Sequence, residues 1–175
     1  MSFLQLATQR YSVRQFSGKS VEKAKLDLVL KAGQIAPTAC NFQPQRILVM
    51  ENQDAIDKLK ECTPYHFNAP LAILVCYDQT VSWKRKHDND DSGTVDASIV
   101  TTQMMLQAAD LGLGTTWVGS FDPKLVRERY DLPKNYVPVA ILVMGYPAAD
   151  AKPSPAHEKR ESLEKTVFYN VFPEK

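Results

Sequence analysis

The spacing of apolar side chains changes several times along the chain, and each change predicts an element. Ala24, Leu28, Ala32 and Ile35 recur at helical spacing, which predicts a helix capped by Ser20 and ending before Pro37. Arg46–Glu51 (RILVME) and Leu71–Tyr77 (LAILVCY) are short aliphatic runs flanked by Pro and Asn, the pattern of buried strands, with a short helix over Asp54–Glu61 between them. Over Val95–Leu113 the apolar positions Ile99, Val100, Met104, Met105, Leu106, Ala108 and Leu111 cover more than one helical face. That helix should be mostly buried, as at the centre of a dimer. Gly112 and Gly114 stop it, Thr115–Val118 reads as a third strand, Asp122 with Pro123 opens a helix through Tyr130, and Val137–Gly145 is a fourth strand. Alternating helices and strands suggest a parallel sheet, although pattern alone leaves a mixed sheet open.

After Gly145 the segment YPAADAKPSPAHEKRE reads as an extended linker. Val167, Phe168, Tyr169, Val171 and Phe172 follow it, more apolar area than a solvated tail has reason to carry, so they should dock on this chain or on another copy.

Length and charge narrow the class. The 175 residues fit a single domain with a real core, and 21 basic against 20 acidic side chains argue against a protein built for nucleic acid. The longest uncharged apolar stretches fall short of the ~20 residues that span a bilayer, and MSFLQLATQR lacks the plan of an export signal, so the cytoplasm is the expected location. Three cysteines, none in a CxxC pair, fit a reducing compartment, and three scattered histidines give no basis for expecting a metal site. Neither a dinucleotide GxGxxG turn nor a Walker A loop is present.

Two short runs carry candidate chemistry. In Arg10-Tyr11-Ser12-Val13-Arg14 an extended backbone sends Arg10, Ser12 and Arg14 to one face, a set suited to phosphate. Spacing alone is equally met by a solvated basic segment, since residues 1–31 carry six basic and two acidic groups. In Ala36-Pro37-Thr38-Ala39-Cys40-Asn41-Phe42-Gln43-Pro44, two prolines bracket two amides that can read the edge of a planar heterocycle, or simply satisfy their own loop. Cys40 has no neighbouring base in sequence and reads as an inert small residue.

Taken together, RYSVRQF, APTACNFQP, DASIVTTQMMLQAADLGLGTTWVGSFDP and KRESLEKTVFYN resemble, in order and over essentially the whole chain, the motifs of the nitroreductase family of FMN-dependent oxidoreductases. The resemblance implies an α+β fold with a mixed, mostly antiparallel sheet flanked by helices, in an intertwined homodimer with FMN at the subunit interface. It makes residues 1–175 one domain, with 148–175 an extended segment packing on the partner subunit. By similarity Arg10 and Ser12 hold the FMN phosphate, Tyr11 lies between them, and Arg14 reaches toward the ribityl chain and pyrimidine edge. Pro37, Thr38, Ala39 and Asn41, with Gln43 in the same loop, would come from the partner. Trp117, Val118, Gly119 and Ser120 would run beside the flavin, with a main-chain amide near Gly119 facing N5, and Arg160, helped by Lys159, would return to the phosphate.

The chain departs from the family pattern where APSAGN reads APTACN and where RRPLEE reads RESLEK, with Glu161 and Ser162 in place of a basic residue and proline. The resemblance implies an NAD(P)H-dependent reductase of nitroaromatics, quinones or related acceptors, working by a ping-pong mechanism with no side-chain nucleophile. A flavin store or sensor without turnover, or a member specialised for dehalogenation or flavin fragmentation, are the alternatives. Phe42, Tyr65, His66 and Phe67 would line the substrate channel, and Lys84-Arg85-Lys86-His87 with Asp88, Asp90 and Asp91 reads as a solvated loop at its border.

Overall fold

Leu71–Asp78, β2, is buried along its whole length, which explains its unbroken apolar sequence: it lies inside a sheet covered on both faces. The computed structural model describes residues 1–173. Its sheet has the order β1-β2-β4-β3, with β1 at Gln45–Met50, β3 at Gly114–Val118 and β4 at Tyr136–Gly145. All three pairings are antiparallel, which corrects the parallel arrangement that alternation suggested. Among the described residues, the mixed character expected of the sheet enters through the isolated parallel bridge Ser12–Thr115.

The period-2 geometry of β2 sorts its side chains between two cores. Ile73, Val75 and Tyr77 face α2 (Lys23–Gln34) and α4 (Gly93–Asp110), packing with Leu26, Val29, Val100 and Met104. Ala72, Leu74 and Cys76 face α3 (Gln53–Cys62) and α5 (Pro123–Arg129), packing with Ile56, Leu59 and Val126. Each Leu, Ile or Val taken out of water there stabilises the fold by about 1.5–3 kcal/mol. Burial also pushes the Cys76 thiol up to about 12, leaving it inert.

Helix starts follow their caps, with one correction. Asp122 accepts from the amides of Lys124 and Leu125 ahead of Pro123, as expected. Ser20 caps nothing: α2 begins after Glu22, whose carboxylate accepts instead from Tyr146 Oη at 2.6 Å and pairs with Lys19 at 3.0 Å. The buried face of α2 also differs from the expected one, being Leu26, Val29, Ala32 and Gly33, while Leu28 and Ile35 stand exposed. Gly33 decides this, because a Cβ there would sit 2.8 Å from Met104 Cγ; its absence lets α2 approach α4 on that face.

α4 starts earlier and ends earlier than expected, and Val95 and Ile99 remain exposed, so the chain alone does not bury it on every face. These two residues join Phe3 and Leu6 of α1 (Phe3–Gln9) and Leu28 and Ile35 of α2 around an open apolar groove of 870 Å³. A short α6 (Leu163–Thr166) forms just after the linker, and Phe168 and Phe172 then stack edge to face with ring centroids 5.4 Å apart. Glu174 and Lys175, the end of the expected C-terminal segment, lie outside the described residues. The 84–91 loop is a neutralised turn in which Lys84 pairs with Asp91 at 2.8 Å and Arg85 with Asp88 at 2.6 Å. No helix among the described residues is long and apolar enough to cross a membrane.

Candidate active site

The Arg10–Arg14 segment leaves α1 in an extended conformation and lies along β3. The Val13 amide donates to the Thr115 carbonyl at 2.9 Å, and Thr116 Oγ1 donates to the Val13 carbonyl at 2.6 Å. Alternation then buries Val13 beneath the segment, which holds the backbone of Ser12 and Arg14 against the sheet. Arg14 is exposed and its guanidinium turns back to the Ser12 carbonyl at 3.3 Å. Arg10 is half-buried, and burial, together with the nearby Arg160 guanidinium, pushes it below its ordinary value. Among the described residues neither Arg10 nor Arg160 makes an ion pair with a carboxylate. Two like charges brought together without a counter-charge make a site for an anion.

Arg160 reaches this place because the linker is tied down upstream of it. The Ala148 amide donates to the Gln15 carbonyl at 3.0 Å, Tyr11 Oη donates to the Ala151 carbonyl at 3.4 Å, and Phe16 bridges to Pro147. His157 packs edge to face on Tyr11, ring centroids 6.2 Å apart, and its Nε2 lies 3.1 Å from the Thr8 carbonyl at the end of α1. Sequence reading missed His157, since a single histidine in a Pro- and Lys-rich stretch carries no spacing signal. Lys159 is exposed; its amide donates to the Ala156 carbonyl at 3.2 Å, and its carbonyl accepts from Arg160 Nη1 at 2.8 Å.

Trp117 and Val118 continue along β3 opposite Leu142 and Ile141, and Gly119 and Ser120 leave the sheet exposed. A Cβ at Gly119 would meet nothing within 4 Å, so a planar group has open room over this backbone. The strip is latched from the side by Thr63 Oγ1, which donates to the Ser120 carbonyl at 2.7 Å, and by the Asp122 amide on the Cys62 carbonyl. Tyr65 and Phe67 stand just beyond this latch with ring centroids 6.2 Å apart, and His66 Nδ1 accepts from the Asn68 amide at 3.0 Å. Burial pushes the His66 imidazole below its usual value, with Lys60 adding to the effect.

The Pro37–Gln43 loop sits elsewhere. It follows α2 and leads through the buried Pro44 into β1, on the edge of the sheet opposite β3. Cys40 is exposed there, and Phe42, a residue expected in the channel, stands out beside it. Gln45 of β1 lies opposite Tyr77, which lies opposite Val137, whereas Gly114 of β3 lies opposite Gly145 at the far end of β4. The start of β1, which the loop enters, and the start of β3, beside which the Arg10 segment runs, therefore occupy diagonal corners of the sheet, about 14 Å apart across the strands and roughly 27 Å along them. Within one chain the Arg10, Ser12, Thr115 and Arg160 set is brought together, the Trp117–Ser120 strip adjoins it along β3, and the Pro37–Gln43 loop stands apart.

Fold and site together define an α+β sandwich with Arg10 and Arg160 gathered at one polar corner. The family model named Nitroreductase family matches residues 7–63 and 64–146, and the chain belongs to that family. A nitroreductase family protein of Clostridium difficile 630, 43% identical, superposes with a TM-score of 0.93 over 98% of this chain and 100% of that one. An FMN-dependent nitroreductase from Clostridium difficile R20291, 27% identical, has a TM-score of 0.81 over 97% of this chain and 100% of that one. The FMN reductase (NAD(P)H) of Bacillus subtilis strain 168 is 28% identical over 159 residues, covering 81% of this chain and 64% of that protein.

Proposed function

We propose that the protein is an FMN-dependent NAD(P)H oxidoreductase that works as a homodimer and reduces nitroaromatic or quinone acceptors in ping-pong fashion. The observation that carries this reading is the half-buried Arg10 held beside Arg160, with no carboxylate among the described residues to answer either charge. A terminal phosphate fits that pair, with the Ser12 hydroxyl beside it, and the room over Gly119 fits a flat ring system farther along β3. Membership of the family, and relatives named for FMN and NAD(P)H, agree with this chemistry. FMN when bound supplies two-electron transfer between a nicotinamide and an oxidised acceptor.

The chain's own residues then do four things. Arg10 and Arg160 bind the phosphate by charge-assisted hydrogen bonds. Val13 and Thr116 hold the Ser12 backbone to β3, and the Thr63 latch keeps the Gly119–Ser120 backbone in place so that its amides meet the flavin edge. Arg14, exposed at the site's rim, supplies positive charge toward the pyrimidine edge. Asn41, with Pro37, Thr38, Ala39 and Gln43 around it, reads the ring from the partner's copy of the loop.

The diagonal separation of that loop from Arg10 supports the dimer, since one chain presents only part of the site at each corner. The groove among α1, α2 and α4 exposes Phe3, Leu28, Ile35, Val95 and Ile99, an apolar surface suited to a second copy. Val167, Phe168, Tyr169, Val171 and Phe172 are exposed on their own chain and give the tail its reason to reach across.

The test is an absorbance spectrum of the purified protein before and after anaerobic NADPH, followed by steady-state turnover with a quinone and a nitroaromatic. A bound flavin bleached by NADPH, with parallel double-reciprocal lines, is expected. Intersecting lines exclude a ping-pong cycle, and a flavin that NAD(P)H does not bleach turns the reading into a flavin store or sensor.

A further inference from the structure

The turn from Thr38 to Gln43 is strained and needs an external hold. Cys40, Asn41 and Gln43 have φ of 50°, 56° and 51°, the left-handed region that is disfavoured for any residue with a Cβ and that Asn alone among these three tolerates well. Thr38 Oγ1 accepts from the Gln43 amide at 3.1 Å, a contact inside the loop itself. Among the described residues, the one hydrogen bond from the loop to a helix is the Ala39 amide donating to Asp96 Oδ1 at 2.8 Å.

Asp96 has no other assigned task. It is 2% exposed in the first turn of α4, its second oxygen accepts from Ser92 Oγ at 2.9 Å, and among the described residues no Lys or Arg pairs with it. The amino end of α4 favours a negative charge at that point. A carboxylate buried without a cation is nevertheless costly, so the geometry it enforces needs a use.

We infer that Asp96 is a positioning residue for the cofactor site, fixing the Thr38–Gln43 turn in the conformation that meets the flavin. The inference rests on the flavin site proposed above. The same turn of α4 carries Val95 to the open groove, so the carboxylate ties the loop to the face on which a second copy docks.

Three variants of the full-length holoprotein test it. Asp96→Ala removes the acceptor, and Asp96→Asn keeps a carbonyl oxygen for the Ala39 amide. Ala39→Pro deletes the donor and leaves Asp96 in place, and Thr38 before it already has the extended backbone (φ −133°, ψ 158°) that a following proline requires. The readouts are Kd for FMN and riboflavin, visible circular dichroism of the bound flavin, and hydrogen exchange of the Asn41 and Phe42 amides.

Asp96→Ala is expected to weaken FMN and riboflavin by one common factor, about tenfold to a hundredfold, because the loop acts on the ring and not on the phosphate. It should also change the dichroism and speed the exchange. Asp96→Asn should restore all three readouts, Ala39→Pro should reproduce Asp96→Ala, and the double variant Ala39→Pro/Asp96→Ala should be no worse than either. Unchanged affinity and dichroism in Asp96→Ala overturn the inference. Normal flavin binding by Ala39→Pro does the same, and it decides the matter if Asp96→Ala fails to fold. A wild-type chain that binds neither flavin refutes the proposed function instead, and the exchange measurement, which needs no flavin, still tests the Asp96 contact.

Discussion

Arg10 and Asp78 carry opposite charges and serve different ends. Asp78 is surrounded by donors: Thr80 Oγ1 at 2.6 Å, Asn135 Nδ2 at 2.8 Å and Arg46 Nη2 at 3.3 Å. The Thr80 hydroxyl first, and then the Asn135 amide and Arg46, hold its carboxyl below the usual carboxylate range. The unfolded chain binds that proton near pH 3.9, so the contribution to stability is complete above that value and is lost as pH falls through the lower folded value. Urea midpoints should therefore drop between pH 6 and pH 3, and Asp78→Asn should lower the pH 6 midpoint and flatten the dependence. Arg10, by contrast, meets no counter-charge among the described residues. Arg10→Ala should weaken FMN by about tenfold to a hundredfold, the loss of a charge-assisted hydrogen bond, and leave riboflavin, which lacks the phosphate, nearly unaffected. Equal losses for both in a fluorescence titration would remove Arg10 from the phosphate site.

At the scale of elements, close approach decides more than propensity does. Gly93 opens α4 against the Tyr77 ring at the end of β2, where an added Cβ would lie 2.0 Å from Tyr77 Cδ2. Gly93→Ala should destabilise the fold by about 1–3 kcal/mol, read as a lower urea midpoint with an unchanged m-value, because the helix start and the strand end must separate. Sequence pattern located this helix well and its exposed face poorly. The apolar positions of α2 and α4 belong to two stripes each, one against the sheet and one along the groove, and a helical period cannot say which stripe meets its own chain. The Asp122-Pro123 start was legible because a cap acts within four residues, whereas α2 starts after Glu22 with no side-chain cap, and the Glu22 carboxylate accepts instead from Tyr146, more than a hundred residues away.

For the whole molecule the diagonal placement of the loop and the Arg10 segment sets the expectation. If both line one flavin, separating the subunits must release the cofactor. Deleting residues 156–175 removes Arg160 and the exposed Phe168, Tyr169 and Phe172, so dimer stability and flavin content should fall together. Sedimentation velocity with flavin absorbance on the same sample checks this, and a monomer carrying stoichiometric FMN would refute the shared site.

By itself the sequence determined the order of elements from α2 to β4, the strand positions to within a residue or two, and the family, because these depend on local spacing and on motifs that keep their order along the chain. Alternation pointed toward parallel strands, and only the pairing of β2 with β1 and β4 settled the antiparallel sheet, since strand direction is a property of neighbours. Tertiary structure also decided the placement of the candidate groups. It brought Arg160 to Arg10, seated His157 on Tyr11, and set Asp96 beneath the Ala39 amide, in each case through contacts between residues far apart in the chain. Such contacts exist only once the two cores have closed on either side of β2, and no periodicity along a single segment encodes them.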